Sequence, residues 1–275
     1  MTIAFTWQTE DAESLLATCE RDGVFPLVTR YFPPGSRVLE SGCGLGRYVK
    51  YLHDRGWDVV GLEFLRSTVE QVRSIWPELD IELGDVAASS FSDNSFDGIM
   101  SLGVVEHWPE GPRRPLGEIY RLLKPGGHAI ITVPVHNSVR QWKRTLWFPE
   151  ITRFPLALLA WFKSGVKKPM NRRNPAYRYA VMPPYGDFFE YHMTVQQYRG
   201  ELRQAGFVIV EHVPIGIIDG LYHDLNPLGI LVRFQDWKFR PSRLGAWLNE
   251  RLARTPFLHC HMQAAVVRKP DGTSP

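Results

Sequence analysis

The run Val38-Leu39-Glu40-Ser41-Gly42-Cys43-Gly44-Leu45-Gly46-Arg47 constrains this chain more than any other segment. An apolar strand enters a turn with glycine at alternate positions, and a helical pattern follows. Glycine supplies the positive φ such a turn needs and lets backbone come close to a ligand. A dinucleotide fingerprint would place glycine at position 47, where Arg47 stands. The Gly-Lys-Ser/Thr of a phosphate loop is also missing. The turn therefore suits a nucleoside group better than a pyrophosphate, with a ligand-free βα turn as the alternative.

The same strand–helix rhythm continues. Strands are expected at 37–42, 57–63, 79–85, 96–103, 128–134, 207–215 and 261–269. Helices are expected at 10–22, 45–56, 66–77, 115–127 and 194–206, the last with Thr194 as N-cap. Strands of five to eight residues alternating with helices predict βαβ units and an α/β fold with a doubly wound, mostly parallel sheet. The rhythm lapses at 135–192 and again at 216–258, apart from a helical stretch near Leu244–Leu252. The predicted organisation is an N-terminal helical segment (1–36), a cofactor-binding half of the sheet domain (37–134), a helical lid insertion (135–192), and a C-terminal part (193–275) carrying a second insertion at 216–258.

Composition narrows the class. With 275 residues, 44% apolar and 22% charged, the chain can bury a full core without staples. Cys19, Cys43 and Cys260 are too few and too scattered for a disulfide framework or a four-cysteine metal site, and they fit a reducing, cytoplasmic setting. A secretory signal is not expected from MTIAFTWQTEDAESLL. The longest apolar run, Phe154–Phe162, is too short to span a bilayer.

Two carboxylates follow the glycine turn at strand ends. Glu63 closes the second strand, where an acid can accept both hydroxyls of a ribose. Asp85 closes the third; it can accept an adenine amino group while Val86 offers its amide. In order, VLESGCGLGR, VVGLEF, LGDVAASSFSDNSFDGIMSLGVVEHW and RLLKPGGHAIITVP resemble the class I S-adenosylmethionine-dependent methyltransferases, in their small-molecule type-11 branch. The likeness covers about 37–134 and returns at 193–212. It implies a Rossmann-like methyltransferase fold with S-adenosylmethionine as cofactor. By resemblance, Glu40, Gly42, Cys43, Gly44 and Gly46 hold the methionine end, and Glu63, with Phe64 beside it, the ribose. Asp85 and Val86 hold the adenine, and Ser101 and Leu102 lie beside the reacting methyl. Glu40 departs from the aspartate more usual at that place.

The acceptor side falls to the insertions. Between 140 and 178 ten basic residues face only Glu150, with aromatics such as Trp142, Trp147 and Trp161 among them. This composition suits a small or lipid-linked acceptor, or peripheral contact with an anionic membrane surface; a folded lid with a solvated basic face is the plain alternative. A nucleic-acid partner is not expected, because no RNA-binding motif is present. Met182-Pro183-Pro184-Tyr185 lies in the insertion, not after the fourth strand where an amino-methylating motif would stand. Methyl transfer is an in-line displacement that can use a base. His107 and His136 follow the fourth and fifth strands and are the candidate catalytic residues; Tyr191, His192, Asp219 and His223 lie at insertion edges. No metal is predicted. The expected reaction is methylation, with oxygen as the favoured target. The rival readings are a nicotinamide-dependent oxidoreductase and a non-catalytic cofactor-binding scaffold.

Overall fold

The structure is a computed structural model that describes residues 12–108, 110–146, 177–182, 186–226, 228–235 and 238–272. A seven-stranded sheet runs in the order β3-β2-β1-β4-β5-β11-β8. Its strands are β1 (Arg37–Ser41), β2 (Asp58–Glu63), β3 (Asp80–Leu83), β4 (Phe96–Leu102), β5 (Leu123–Pro134), β8 (Val208–Ile215) and β11 (Met262–Arg268). β1 to β5 are mutually parallel, and β11 runs antiparallel to both of its neighbours. The strand order reverses beside β1, so the carboxyl ends of β1 and β4 open a crevice, the usual ligand position in such sheets.

Two apolar layers cover the sheet. On one face Val38, Met100 and Ile130 pack with the N-terminal segment and with helices Arg47–His53 and Arg66–Ile75, through Tyr48, Leu52, Val69 and Val72. Phe32 lies so flat on β4 that a Cβ on Gly98 would sit 2.6 Å from its ring, which is why that strand carries glycine there. On the other face Leu39, Ile99 and Ile131 pack with helices Arg113–Leu122 and Val195–Gln204. Thr194 caps the latter helix in a capping box with Gln197.

The expected helix at 115–127 stops at Leu122. Leu123 is extended, Pro125 cannot sit in a helix interior, and Gly126 takes φ +77°, so Leu123–Gly127 joins β5 and bonds to Lys269. The expected helix at 10–22 is broken into Ala12–Leu16 and a 3₁₀ turn at Cys19–Arg21; residues 10 and 11 lie outside the described residues. The first insertion is not purely helical. Helix Ser138–Leu146 is joined by an antiparallel hairpin of β6 (Tyr177–Met182) and β7 (Gly186–Tyr191). A bridge between Val135 and Met193 closes its base. The second insertion holds helix Ile217–Leu225, a hairpin of β9 (Val232–Gln235) and β10 (Lys238–Pro241), and helix Arg243–Leu252 around Leu221, Leu231 and Val232.

Candidate active site

The glycine turn is wound tightly enough to use up its own donors. Gly42 has φ +83°, and a Cβ on it would lie 2.6 Å from Val104, so only glycine fits. The Gly42 and Cys43 amides both donate to the Leu62 carbonyl, at 2.8 and 3.0 Å, and Gly46 donates to Cys43. Gly44 donates to Glu63 Oε2 at 3.0 Å. A pyrophosphate cradle needs those amides pointing outward. Here the turn can meet a ligand by close approach but has few amides to offer it, and this argues against the nicotinamide reading independently of Arg47.

Arg47 is committed elsewhere. Its guanidinium donates to Thr18 Oγ1 at 2.7 Å and to Asp22 Oδ2 at 2.6 Å, binding the N-terminal segment to the helix behind the turn. Cys43 is buried, and its sulfur would lie 2.8 Å from a Cβ on Gly61, so β2 carries glycine to admit it. Burial pushes this thiol well above the usual range, followed by the charges of Glu40 and Glu63. The side chain of Cys43 is packing, and any contact with a ligand falls to its backbone.

Both carboxylates at the crevice are held by backbone. Glu63 receives Gly44 N–H on one oxygen and Leu65 N–H on the other at 2.9 Å, fixing the plane of the carboxylate while each oxygen retains a further lone pair. Phe64, beside it, is half exposed. Glu40 is 4% exposed and its Oε2 accepts from Val49 N at 3.2 Å; its Oε1 makes no hydrogen bond among the described residues. Burial, opposed by Arg47 and reinforced by Glu63, pushes its pKa up to about 8. At β3, Asp85 Oδ1 is taken by Ala87 N at 2.8 Å, and Val86 is buried. Among the predicted residues Ser101 behaves differently. It alternates with Gly98 and Met100 onto the Ile99 face, fully buried, with its hydroxyl unpartnered among the described residues. Its side chain belongs to the apolar layer; Leu102 instead packs on the Glu40 face.

His107 stands in the turn after β4 with Nδ1 against the Phe189 carbonyl and Nε2 3.1 Å from the Gly103 carbonyl. Carbonyls only accept, and a neutral imidazole carries one N–H, so the ring donates to one of these two carbonyls. His107 ties β7 to the mouth of β4, with both ring nitrogens against backbone carbonyls. Neighbouring Glu106 is buried, with burial pushing its carboxyl well above the usual range. His136 follows β5 and donates its amide to Met193 O at 2.8 Å, which places it at the base of the first insertion. Asp219 lies in the second insertion, its pKa raised to about 6 by burial and by Asp22.

One polar cluster among the described residues was not legible in the sequence. Arg140, one of the ten basic residues counted between 140 and 178, is 12% exposed. Its Nε donates to both oxygens of Asp224 at 3.0 Å and Nη1 to Val135 O at 2.8 Å. Nη1 also meets His192 Nδ1 at 3.3 Å, and Nη2 meets His261 Nδ1 at 2.8 Å. Asn137 donates to Asp224 at 2.7 Å and to Cys260 O at 2.9 Å. His192 pairs with Glu190, and His223 stacks on His261 at 4.6 Å. Burial, then Arg140, pushes His261 down to about 3. This cluster stitches both insertions to the ends of β5 and β11. Among the described residues no group of three or more His, Cys, Asp or Glu side chains could hold a metal ion.

Residues 39–131 match the family model described as methyltransferase domain. A probable S-adenosylmethionine-dependent methyltransferase of Mycolicibacterium smegmatis is 35% identical over 120 residues, covering 43% of this chain and 46% of that protein. A demethylmenaquinone methyltransferase of Renibacterium salmoninarum is 35% identical over 106 residues, covering 38% and 44%. The chain thus spans less than half the length of these curated relatives. In fold, a SAM-dependent methyltransferase of Methanosarcina mazei superposes with a TM-score of 0.57 at 17% identity, over 89% of this chain and 97% of that one. Residues 39–131 thus form a methyltransferase domain of the type-11 family, similar to that of S-adenosylmethionine-dependent methyltransferases.

Proposed function

We propose that the protein transfers a methyl group from S-adenosylmethionine to a small or lipid-linked acceptor, at oxygen. The observation that carries the reading is the Gly42–Gly46 turn with the Glu63 carboxylate locked to it by the Gly44 amide. The residues fit the cofactor. Glu63 presents an aligned carboxylate to a diol, Asp85 offers a second carboxylate oxygen to an amino group, and Glu40 has an oxygen without a hydrogen bond, suited to an ammonium. Bound there, S-adenosylmethionine supplies an electrophilic methyl on a sulfonium.

The chain's own contribution is alignment. The acceptor lies between the carboxyl ends of β4 and β5 and the two insertions, with the Arg140 network fixing the wall of that space. Orientation of this kind contributes more to a displacement than any single acid or base. His136 is the remaining candidate to take the acceptor proton, since His107 is engaged with backbone. A lipid-linked acceptor is supported by the Renibacterium relative, whose name specifies demethylmenaquinone. Oxygen is favoured because Ser101-Leu102-Gly103-Val104 stands at the fourth strand in place of an Asn/Asp-Pro-Pro motif.

Incubation with methyl-labelled cofactor and a cell extract, followed by solvent partition, tests this. Label in the organic phase supports the lipid acceptor, and label only in aqueous small molecules refutes it. Tight cofactor binding with no labelled product in any fraction supports the non-catalytic scaffold.

A further inference from the structure

The second insertion carries a surface that the sheet domain does not explain. Of the eleven large apolar residues exposed among the described residues, six lie between Leu228 and Leu258. Leu228 is 76% exposed, Ile230 61%, Leu244 52% and Trp247 51%. Helix Arg243–Leu252 shows how this arises. Gly245, Leu248 and Leu252 form its inner stripe, against Leu221, Leu231 and Val232. Gly245 is seated so closely that a Cβ there would lie 2.0 Å from the Leu231 carbonyl. Leu244, Trp247 and Arg251 form a second stripe at helical spacing, and Arg251 sits 5.4 Å over the Trp247 ring.

The exposed charges around this surface are mostly positive, with Glu250 the one exposed acid on helix Arg243–Leu252. Arg233, Lys238, Arg243, Arg251 and Arg254 are exposed, and none forms an ion pair among the described residues. Arg233 and Phe234 also line an open hollow of about 360 Å³ with Tyr222 and Val232.

We infer that this face of the second insertion, centred on Leu244 and Trp247, docks on an anionic bilayer surface. Aliphatic and indole side chains among a surplus of exposed cations, Arg233, Lys238, Arg243, Arg251 and Arg254 against Glu250, match an interface where acyl chains lie under negative headgroups. A second copy is a poor occupant, because a two-fold contact would press the same cations together. A nucleic acid would leave Leu228, Ile230 and Leu244 without partners. None of the described helices is long and apolar enough to cross a membrane. The inference stands apart from the methyl-transfer reading, since vesicle binding needs neither cofactor nor acceptor.

Flotation of the full chain with vesicles of phosphatidylcholine alone, or with added phosphatidylglycerol, tests it at low and high salt. The wild type binds the anionic vesicles, less at high salt. Leu244→Glu with Trp247→Glu weakens that binding at least about tenfold, with the melting temperature and cofactor affinity kept. Arg233→Glu with Arg243→Glu removes the salt-sensitive part. Failure of the wild type to bind either vesicle overturns the inference. So does loss of binding on Trp142→Glu with none on the Leu244/Trp247 pair, which moves the contact to the first insertion. A dimer in light scattering that the pair dissolves, with vesicles ignored, makes a second copy the occupant and also overturns it.

Discussion

Glu40→Gln isolates the most unusual charge in the crevice. Burial holds the Glu40 carboxyl at about 8, against an ordinary 4.5, so at pH 7 only about one molecule in ten carries the charge. If Glu40 receives the ammonium of the cofactor's methionine end, binding selects the ionised form and expels a proton. Affinity then falls about tenfold for each pH unit below 8, and the cost at pH 7 is about 1.4 kcal/mol. Glutamine keeps the size and an oxygen for the Val49 amide but cannot ionise. Calorimetry with S-adenosylhomocysteine from pH 6 to pH 9, in buffers of different ionisation enthalpy, reads both quantities. The wild type should release up to one proton on binding near neutral pH. The variant should bind more weakly at pH 9, with this pH dependence flattened. Stability gives an independent sign. A carboxyl whose folded pKa is raised adds stability that is complete below about 4.5 and lost as pH rises through about 8. The ligand-free variant should therefore unfold later than wild type at pH 9, by at most about 5 kcal/mol. Identical pH profiles and proton release in the two proteins would refute the assignment.

Arg140→Met leaves Asp224 buried without its partner and should cost about 3–5 kcal/mol in denaturant unfolding, partly restored by adding Asp224→Asn; a change below about 1 kcal/mol would mean the network does not brace the insertions. His107→Ala cuts the tie between Gly103 and Phe189 and should lower stability by about 1–3 kcal/mol while leaving the pH–rate profile in place; a lost limb of that profile would restore a proton-transfer role. His136→Ala should reduce turnover about a hundredfold or more with cofactor affinity intact; turnover within a few-fold of wild type would leave the proton to water.

The sheet was readable because its signals are local. Glycine turns, alternating strands and the Thr194 cap each act within a few residues of themselves, and β1, β2, β4 and β11 fall within a residue or two of the expected spans. The end of the helix at Leu122 was misplaced because Pro125-Gly126-Gly127 reads as a stop wherever a helix precedes it, while pairing with the end of β11 decides where the strand begins. The hairpin of β6 and β7 was hidden by its arginine and tyrosine content, which read as lid surface. The Arg140 cluster could not be foreseen at all. Its members stand at 137, 140, 192, 224 and 261 and meet only once both insertions fold back on β5, so one arginine among ten basic residues carried no mark of burial. The same holds for His107. Its place after β4 was readable, but its engagement by Phe189 depends on a strand 82 residues away.

The central claim is that the glycine turn and Glu63 together hold S-adenosylmethionine. Calorimetric titration of the wild type and Glu63→Ala with S-adenosylmethionine, and with NAD as the rival ligand, tests it most directly. The wild type should bind S-adenosylmethionine and ignore NAD. The alanine variant loses two charge-assisted hydrogen bonds to the ribose, each about 1.5–3 kcal/mol, and should bind at least about a hundredfold more weakly while still unfolding cooperatively, at a lower temperature because the Gly44 and Leu65 amides lose their acceptor. NAD binding by the wild type with no S-adenosylmethionine binding, or an unchanged affinity in the folded variant, would contradict the account.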